Sequence, residues 1–325
     1  MVGLATGGAF LWLALERVEM PALRTALLAI EWRDLAAAAA LYWLALALRV
    51  LRWQVLLNQL APAPLMAVGE TLIVGYAVNN VLPARLGEIA RAAYARRRLR
   101  LGRARVFGSI VVERLLDLGA ILACLIGGLS LLDGRAGAPR LPTFELIALN
   151  AGIVTGLAVL VLAALRSVNL TRLRLPAPLA AIGNDFRMGL ATLNRRSALL
   201  AMFLTGLVWL FEVAALALTF AACAVTLDPA QALVVMGAAS LSTLVPTAPG
   251  YLGTYQLVFV LALGAFGLAA SSGIVAATAI QVVLFGSVTA AGGLILALRA
   301  VRRAWLPGAA QSSSENGVKS VAASK

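Results

Sequence analysis

Five apolar stretches, each about as long as a bilayer is thick, decide what this chain can fold into. The runs 36–57, 106–132, 144–165, 199–225 and 272–298 each offer roughly the 20 residues a helix needs to cross a hydrocarbon core about 30 Å thick. Composition agrees: 62% of the 325 residues are hydrophobic, 13% are charged and the mean hydropathy is +0.93. A soluble domain carries about a quarter charged residues, so too little polar surface remains to clothe a globule of this size. A sixth stretch, 2–15, has no basic segment before it and is followed by Glu16. It reads as a retained first helix, with Glu16 or Arg17 snorkelling to the surface.

Two further apolar stretches, 67–82 and 231–246, stop at prolines. At about 16 residues each rises about 24 Å, short of a full crossing. Their ends resemble one another: Asn79-Asn80-Val81-Leu82-Pro83-Ala84-Arg85-Leu86-Gly87-Glu88 and Ser242-Thr243-Leu244-Val245-Pro246-Thr247-Ala248-Pro249-Gly250-Tyr251. Pro83 and Pro246 lack an N–H and disfavour α geometry in the residue before them. Gly87 and Gly250 permit turns closed to other residues. Interrupted helices in corresponding positions of two halves point to a transporter's midplane site, and the helices restarting after each break would aim N–H groups at an anionic headgroup there. The other reading is two tight interfacial loops between tilted short spans.

Arginine positions order the spans. The net charge is +13, and only Lys319 and Lys325 are lysines. Arg85, Arg91, Arg96, Arg97, Arg98, Arg100, Arg103 and Arg105 crowd one connection, six more arginines fall in 166–198, and Arg299, Arg302 and Arg303 follow the last run. The positive-inside rule makes these segments cytoplasmic, together with both termini, in a multi-pass protein of the cytoplasmic membrane. Arg49 and Arg52 then mark the inner end of span 36–57. The acidic segment 16–34 and the stretch 133–143 face out. On this count six full spans are joined by two broken segments that enter from opposite faces, an inverted repeat in an all-α polytopic membrane protein. The membrane domain covers 1–303. The 166–198 connection holds a surface amphipathic helix, and 304–325, rich in Ser, Gly and Ala, is a disordered tail.

Charges within the spans are the candidate site. Glu113 and Asp117 share one helix face four residues apart, with Arg114 between them, and Glu212 sits mid-way along span 199–225. Each intramembrane charge costs about 2.5 kcal/mol or more, so partners or water are required. Arg85, Glu88 and Arg91 from the first broken segment are available. These residues make either a polar path for a headgroup or a salt-bridge network that staples helices; both can hold at once.

The first break motif, the arginine-rich stretch and Val111-Val112-Glu113-Arg114-Leu115-Leu116-Asp117 occur in order, and with Pro246-Thr247-Ala248-Pro249-Gly250-Tyr251-Leu252-Gly253 they resemble the membrane region of lysylphosphatidylglycerol synthases. The resemblance covers about residues 1–300. It implies a flippase-like, lipid-translocating domain; the broken segments and the charges within the spans make Asn80, Pro83, Arg85, Gly87, Glu88, Arg91, Glu113, Arg114, Asp117, Glu212, Pro246, Gly250 and Gly253 the candidate translocation residues. Full-length synthases carry a separate cytoplasmic domain that aminoacylates the lipid; little sequence follows Arg303, so that activity is not expected here. The partners expected are membrane lipids, anionic or polyprenyl-linked, and a lipid-modifying enzyme or glycosyltransferase if the chain is a scaffold instead. The Ala/Arg-rich, Lys-poor composition suits a high-GC bacterium.

Other classes find little support. No His is present, and Cys124 and Cys223 both lie in apolar runs, which leaves no metal site and no disulfide framework. No phosphate loop, nucleophile–base pair or cofactor motif occurs, so no enzymatic activity is expected; a carboxylate pair acting on lipid as acid and base is the one catalytic alternative. The arginines sit between apolar runs, so nucleic acid is not the expected partner.

Overall fold

The computed structural model describes residues 2–82, 86–133, 177–190, 194–244 and 248–305. Among them every regular element is helical: α1 Val2–Leu15, α2 Met20–Leu28, α3 Trp32–Leu57, α4 Leu65–Val81, α5 Leu86–Arg98, α6 Arg103–Asp133, α7 Ala177–Leu190, α8 Arg195–Ala222, α9 Pro229–Ser242, α10 Thr254–Ala265, α11 Ala270–Ala279 and α12 Gly286–Trp305. A π-helical turn, Ile280–Phe285, joins α11 to α12 without a break in the rod, and a short 3-10 turn, Pro249–Tyr251, precedes α10.

Four helical rods are long and apolar enough to cross a membrane: Trp32–Leu57, Arg103–Leu132, Arg195–Ala222 and Ala270–Arg302. They coincide with four of the expected spans, and the chain is an all-α multi-pass membrane protein. Their outer faces carry exposed Leu199, Met202, Phe203, Leu210, Leu294 and Leu298, a surface that lipid solvates and water does not. The span expected at 144–165 lies outside the described residues, as does most of the tail expected at 304–325. The first helix, at 14 residues, rises about 21 Å, less than the hydrocarbon core. Its Gly7 is packed against Ala248 and Leu252, beside the second break.

Local chemistry places the helix ends. Asn194 accepts from Ser197 N–H and Ser197 answers the Asn194 N–H, a capping box that starts α8. Asp228 does the same with Gln231 at α9, where Pro229 occupies the first turn. The amphipathic helix expected in 166–198 is α7. It is held to α6 by an Arg105–Asp185 ion pair of 2.6 Å, and Gly108 faces Gly189.

The long helix α6 serves as a ruler, because its 31 residues rise about 46 Å. Near its first third, Glu113 and Arg114 meet Arg91 of α5 and Tyr76 of α4. Helices α4 and α5 fold back on each other, with Gly87 against Gly75 and Asn79 near the tip and Arg98 against Glu70 at the base. Arg299 of α12 reaches the same Glu70. The base of this hairpin therefore lies at the arginine-rich end of the molecule. At the far end of α6, a Cβ on Gly128 would stand 2.8 Å from Ala230 O, and one on Gly237 would stand 2.9 Å from Leu125 Cβ. So α9 starts at the opposite end and runs inward. The two broken segments enter from opposite ends and their tips meet: Gly250 faces the Asn80 carbonyl, and Asn79, Asn80, Thr243, Leu244 and Tyr251 border one cavity. Two apolar cores flank this meeting point, one around Phe220, Phe259, Leu263 and Val275, the other around Trp53, Leu56, Leu72 and Ile110.

Candidate functional site

The tips enclose a cavity of about 360 Å³. One wall is charged: Arg49 from α3, Arg114 and Asp117 from α6, and Glu212 from α8. A second wall is aromatic. Tyr42, Tyr251 and Tyr255 surround Phe285, with ring centroids 5.7 to 6.3 Å from it. Leu115, Leu118, Ile121, Leu216, Ile280 and Leu284 close the remaining sides.

Arg49 bridges two carboxylates. Its Nη2 and Nε donate to Glu212 Oε1 at 2.7 and 2.9 Å, and its Nη1 donates to Asp117 Oδ2 at 3.1 Å. Asp117 also accepts from Arg52 Nη1 at 2.7 Å and from Trp209 Nε1 at 3.3 Å, both on Oδ1. Glu113 faces away from the cavity. It accepts from Arg91 on both oxygens, at 2.7 and 3.2 Å, and from Arg114 Nη2 at 2.8 Å, with Arg52 3.5 Å off. Arg91 lies flat over Trp53, its guanidinium carbon 3.6 Å from the ring centroid. Arg114 joins the two groups: it stands 3.5 Å from Asp117, 3.7 Å from Glu88 and 3.4 Å from the Tyr76 hydroxyl. Four arginines thus balance Glu88, Glu113, Asp117 and Glu212, as buried charge in a low-dielectric setting requires.

This splits the charged residues that the sequence singled out. Arg114, Asp117 and Glu212 line the cavity together with Asn80. Arg91 and Glu113 lie behind it as a buried pair that ties α5 to α6, and among the described residues Glu88 reaches the cluster through Arg114. Pro83, Arg85 and Pro246 lie outside the described residues.

Gly87 differs from the expectation of a turn. It lies in the first turn of α5, and its need for glycine is spatial, since a Cβ would stand 2.2 Å from Gly75 O. Its N–H donates to Asn79 Oδ1 at 2.7 Å, and the Gly253 N–H donates to Gln256 Oε1 at 2.8 Å. Both restarting helices therefore spend these N–H groups on protein acceptors rather than aiming them at a ligand. At the second break the expected backbone freedom is used. Gly250 and Gly253 have φ of +63° and +83°, and Tyr251 between them has φ +58°. A bulky residue in that region is strained, and strain of this kind gathers at functional sites.

Sequence reasoning missed two contributors. The sequence makes Arg49 and Arg52 markers of the inner end of span 36–57, yet both are buried and supply the cations for Glu212 and Asp117. The signal is present: Glu212 has no cation within its own apolar run, 199–225, and an i, i+3 arginine pair within an apolar run carries the same cost as an acid there. The π-helical turn was also missed. Asn80 Nδ2 donates to Phe285 O at 3.1 Å and to Thr289 Oγ1 at 3.0 Å, while Gln281 Nε2 donates to Gly250 O at 3.0 Å and Gln281 Oε1 accepts from Gln256 Nε2 at 2.8 Å. Both broken tips are thus pinned to one π turn, an irregularity that recurs at functional sites.

No group of His, Cys, Asp or Glu able to hold a metal ion occurs among the described residues. No curated protein and no solved structure matches this chain. The family model of the lysylphosphatidylglycerol synthase TM region matches residues 1–292, a stretch that contains both broken segments, the charged cluster and the cavity between them, and the chain belongs to that family.

Proposed function

We propose that this protein moves a lipid headgroup across the cytoplasmic membrane without changing it chemically, using the cavity between the two broken tips. The observation that carries this reading is the cavity itself: a charged and aromatic pocket midway along α6, where hairpins entering from opposite ends meet. Broken backbone within a bilayer persists only where it is buried in protein or lines a wet space, and a binding site at the meeting point of inverted segments is the geometry of alternating access. The arginine-rich end, with Arg96 to Arg105 and Arg299, is assigned to the cytoplasm by the positive-inside rule.

The test is reconstitution of the full chain in liposomes with acyl-labelled phospholipids and with polyprenyl phosphate, following protein-dependent transfer between leaflets. Transfer of at least one lipid is expected; none for any lipid would sink the reading. Orientation is tested separately with Arg97→Cys and Thr25→Cys in whole cells, where an impermeant thiol reagent should reach only the second. The native Cys124 and Cys223 are buried.

A scaffold for a lipid-modifying enzyme or glycosyltransferase is the second reading. It is favoured by one observation, that Arg91 and Glu113 are spent on helix-to-helix pairing away from the cavity.

A further inference from the structure

Of the four charged side chains that line the cavity, two are fully committed. Each nitrogen of Arg49 that can donate is bonded to Glu212 or Asp117, and both oxygens of Asp117 accept. The other two keep at least one open atom each. Glu212 takes both of its hydrogen bonds on Oε1, which leaves Oε2 without a hydrogen bond among the described residues. Arg114 donates through Nη2, to Tyr76 and Glu113; its Nε is buried 3.7 Å from Glu88 without a hydrogen bond, and its Nη1 has none among the described residues. The Asp117–Arg49 pair stands between them, since Arg114 and Arg49 approach the same Asp117 oxygen and Arg49 then reaches Glu212. The cavity thus presents one unspent cationic donor and one unspent anionic acceptor, held apart by a neutral pair.

From this we infer that the headgroup bound here is a zwitterion, a phosphodiester linked to an ammonium, with the phosphate on Arg114 and the ammonium between Glu212 and the tyrosine wall. A purely anionic headgroup would satisfy Arg114 but bring its charge beside the open Oε2 of Glu212, and the arginines are already balanced by acids. An uncharged sugar would leave both open atoms unpaired with charge. The aromatic faces of Tyr42, Tyr251 and Phe285 suit an ammonium, which is drawn to a ring's negative face. The leucine and isoleucine sides of the cavity suit the glycerol and chain ends of a lipid over a free solute. The inference rests on the transport reading for its context and names the class of headgroup that the same cavity takes.

The experiment is competitive binding read by native mass spectrometry. The purified full chain is offered phosphatidylethanolamine and phosphatidylglycerol of identical acyl chains in equal amounts, with the same pair followed for transfer in liposomes. We expect the ethanolamine lipid to be bound over the glycerol lipid by about tenfold, the equivalent of ~1.4 kcal/mol. Glu212→Gln should bring the ratio close to one. Tyr251→Leu, which leaves every charge in place, should lower the ratio as well, and it serves if Glu212→Gln does not fold. Equal binding of the two lipids by the native chain would overturn the inference, as would a ratio unmoved in folded Glu212→Gln and Tyr251→Leu proteins. Displacement of the bound lipid by water-soluble glycerophosphoethanolamine would keep the headgroup chemistry and assign it to a soluble source. Binding preference without transfer would remove the transport reading alone; transfer of both lipids at equal rates with equal binding would remove the zwitterion alone.

Discussion

Arg49 grips Glu212 through two nitrogens on a single carboxylate oxygen, Nη2 at 2.7 Å and Nε at 2.9 Å. The pair ties α3 to α8 at the level of the cavity, and the third arm of the same guanidinium holds Asp117 of α6. Three helices thereby share one cation in the membrane interior. Glutamine at position 49 would leave Glu212 without its cation, and we expect a loss of about 3 kcal/mol or more, the usual cost of breaking a buried pair by removing one partner. Arg49→Gln combined with Glu212→Gln should lose less than the sum of the two single changes, with a coupling of about 1–3 kcal/mol. Thermal unfolding in detergent micelles reads both numbers; additive losses would contradict the geometry.

Glu113 and Asp117 stand one turn apart on α6 yet should respond differently. Glu113→Gln strips Arg91 and Arg52 of a partner behind the cavity and frees Arg114 from one of its acceptors, so melting temperature should fall, while transfer per folded molecule should fall less than in Asp117→Asn. Asp117→Asn disturbs the link between Arg49 and Arg114 on the cavity wall, and transfer should drop about tenfold, as loss of a charge-assisted hydrogen bond of ~1.5 kcal/mol implies. A transport defect in folded Glu113→Gln as large as that of Asp117→Asn would refute this division.

Glycine substitutions should follow space rather than sequence. In Gly87→Ala the new methyl would collide with Gly75 O, and in Gly253→Ala it would collide with Gly7 O at a φ of +83°. Each should destabilise by about 1–3 kcal/mol as an overpacked site. Gly119, within α6, has open space where a Cβ would stand, so Gly119→Ala should stabilise, by up to about 1 kcal/mol, through helix propensity alone. Three melting curves settle the point.

Gln281→Leu removes the side chain that pins Gly250 and pairs with Gln256. The expected stability loss is modest, about 1 kcal/mol for each hydrogen bond. Hydrogen–deuterium exchange should rise in 248–256 and stay level in 86–98, because Asn80 holds the first tip to Phe285 and Thr289 independently. Uniform change across both tips would show that the π turn does not hold them separately.

Glu70→Gln cuts the ion pairs from Arg98 and Arg299 at the arginine-rich end, where all three side chains are partly exposed. Solvent screens such pairs, so the loss should be below about 1 kcal/mol and should vanish in high salt. A loss as large as that of Arg49→Gln would mean that this end is dry.

The spans were legible because hydrophobic length needs no partner to be read: residues 36–57, 106–132, 199–225 and 272–298 had to be helices, and Trp32–Leu57, Arg103–Leu132, Arg195–Ala222 and Ala270–Arg302 are. The broken segments were legible too, through proline and glycine at matching places. Gly87 shows where that reasoning stops. Its glycine signal was real, but its cause is a neighbouring helix only 2.2 Å from where a Cβ would stand, and no local pattern encodes that distance.

By itself the sequence determined that the chain lives in a bilayer, that four of its segments are long and apolar enough to cross it, where two apolar helices break off at proline, and that Glu113, Asp117 and Glu212 must find partners there. Tertiary structure alone decided who those partners are. Arg49 and Arg52, which the sequence placed at a membrane edge, became the cations of the interior because α3 packs between α6 and α8. It also decided that Glu113 lies behind the cavity and Asp117 within it, since one helical turn rotates a side chain only slightly and the neighbouring helices determine which rotation faces open space. Length and polarity act on each segment separately; charge pairing in a low dielectric acts between segments, and only the packed bundle brings its members within reach.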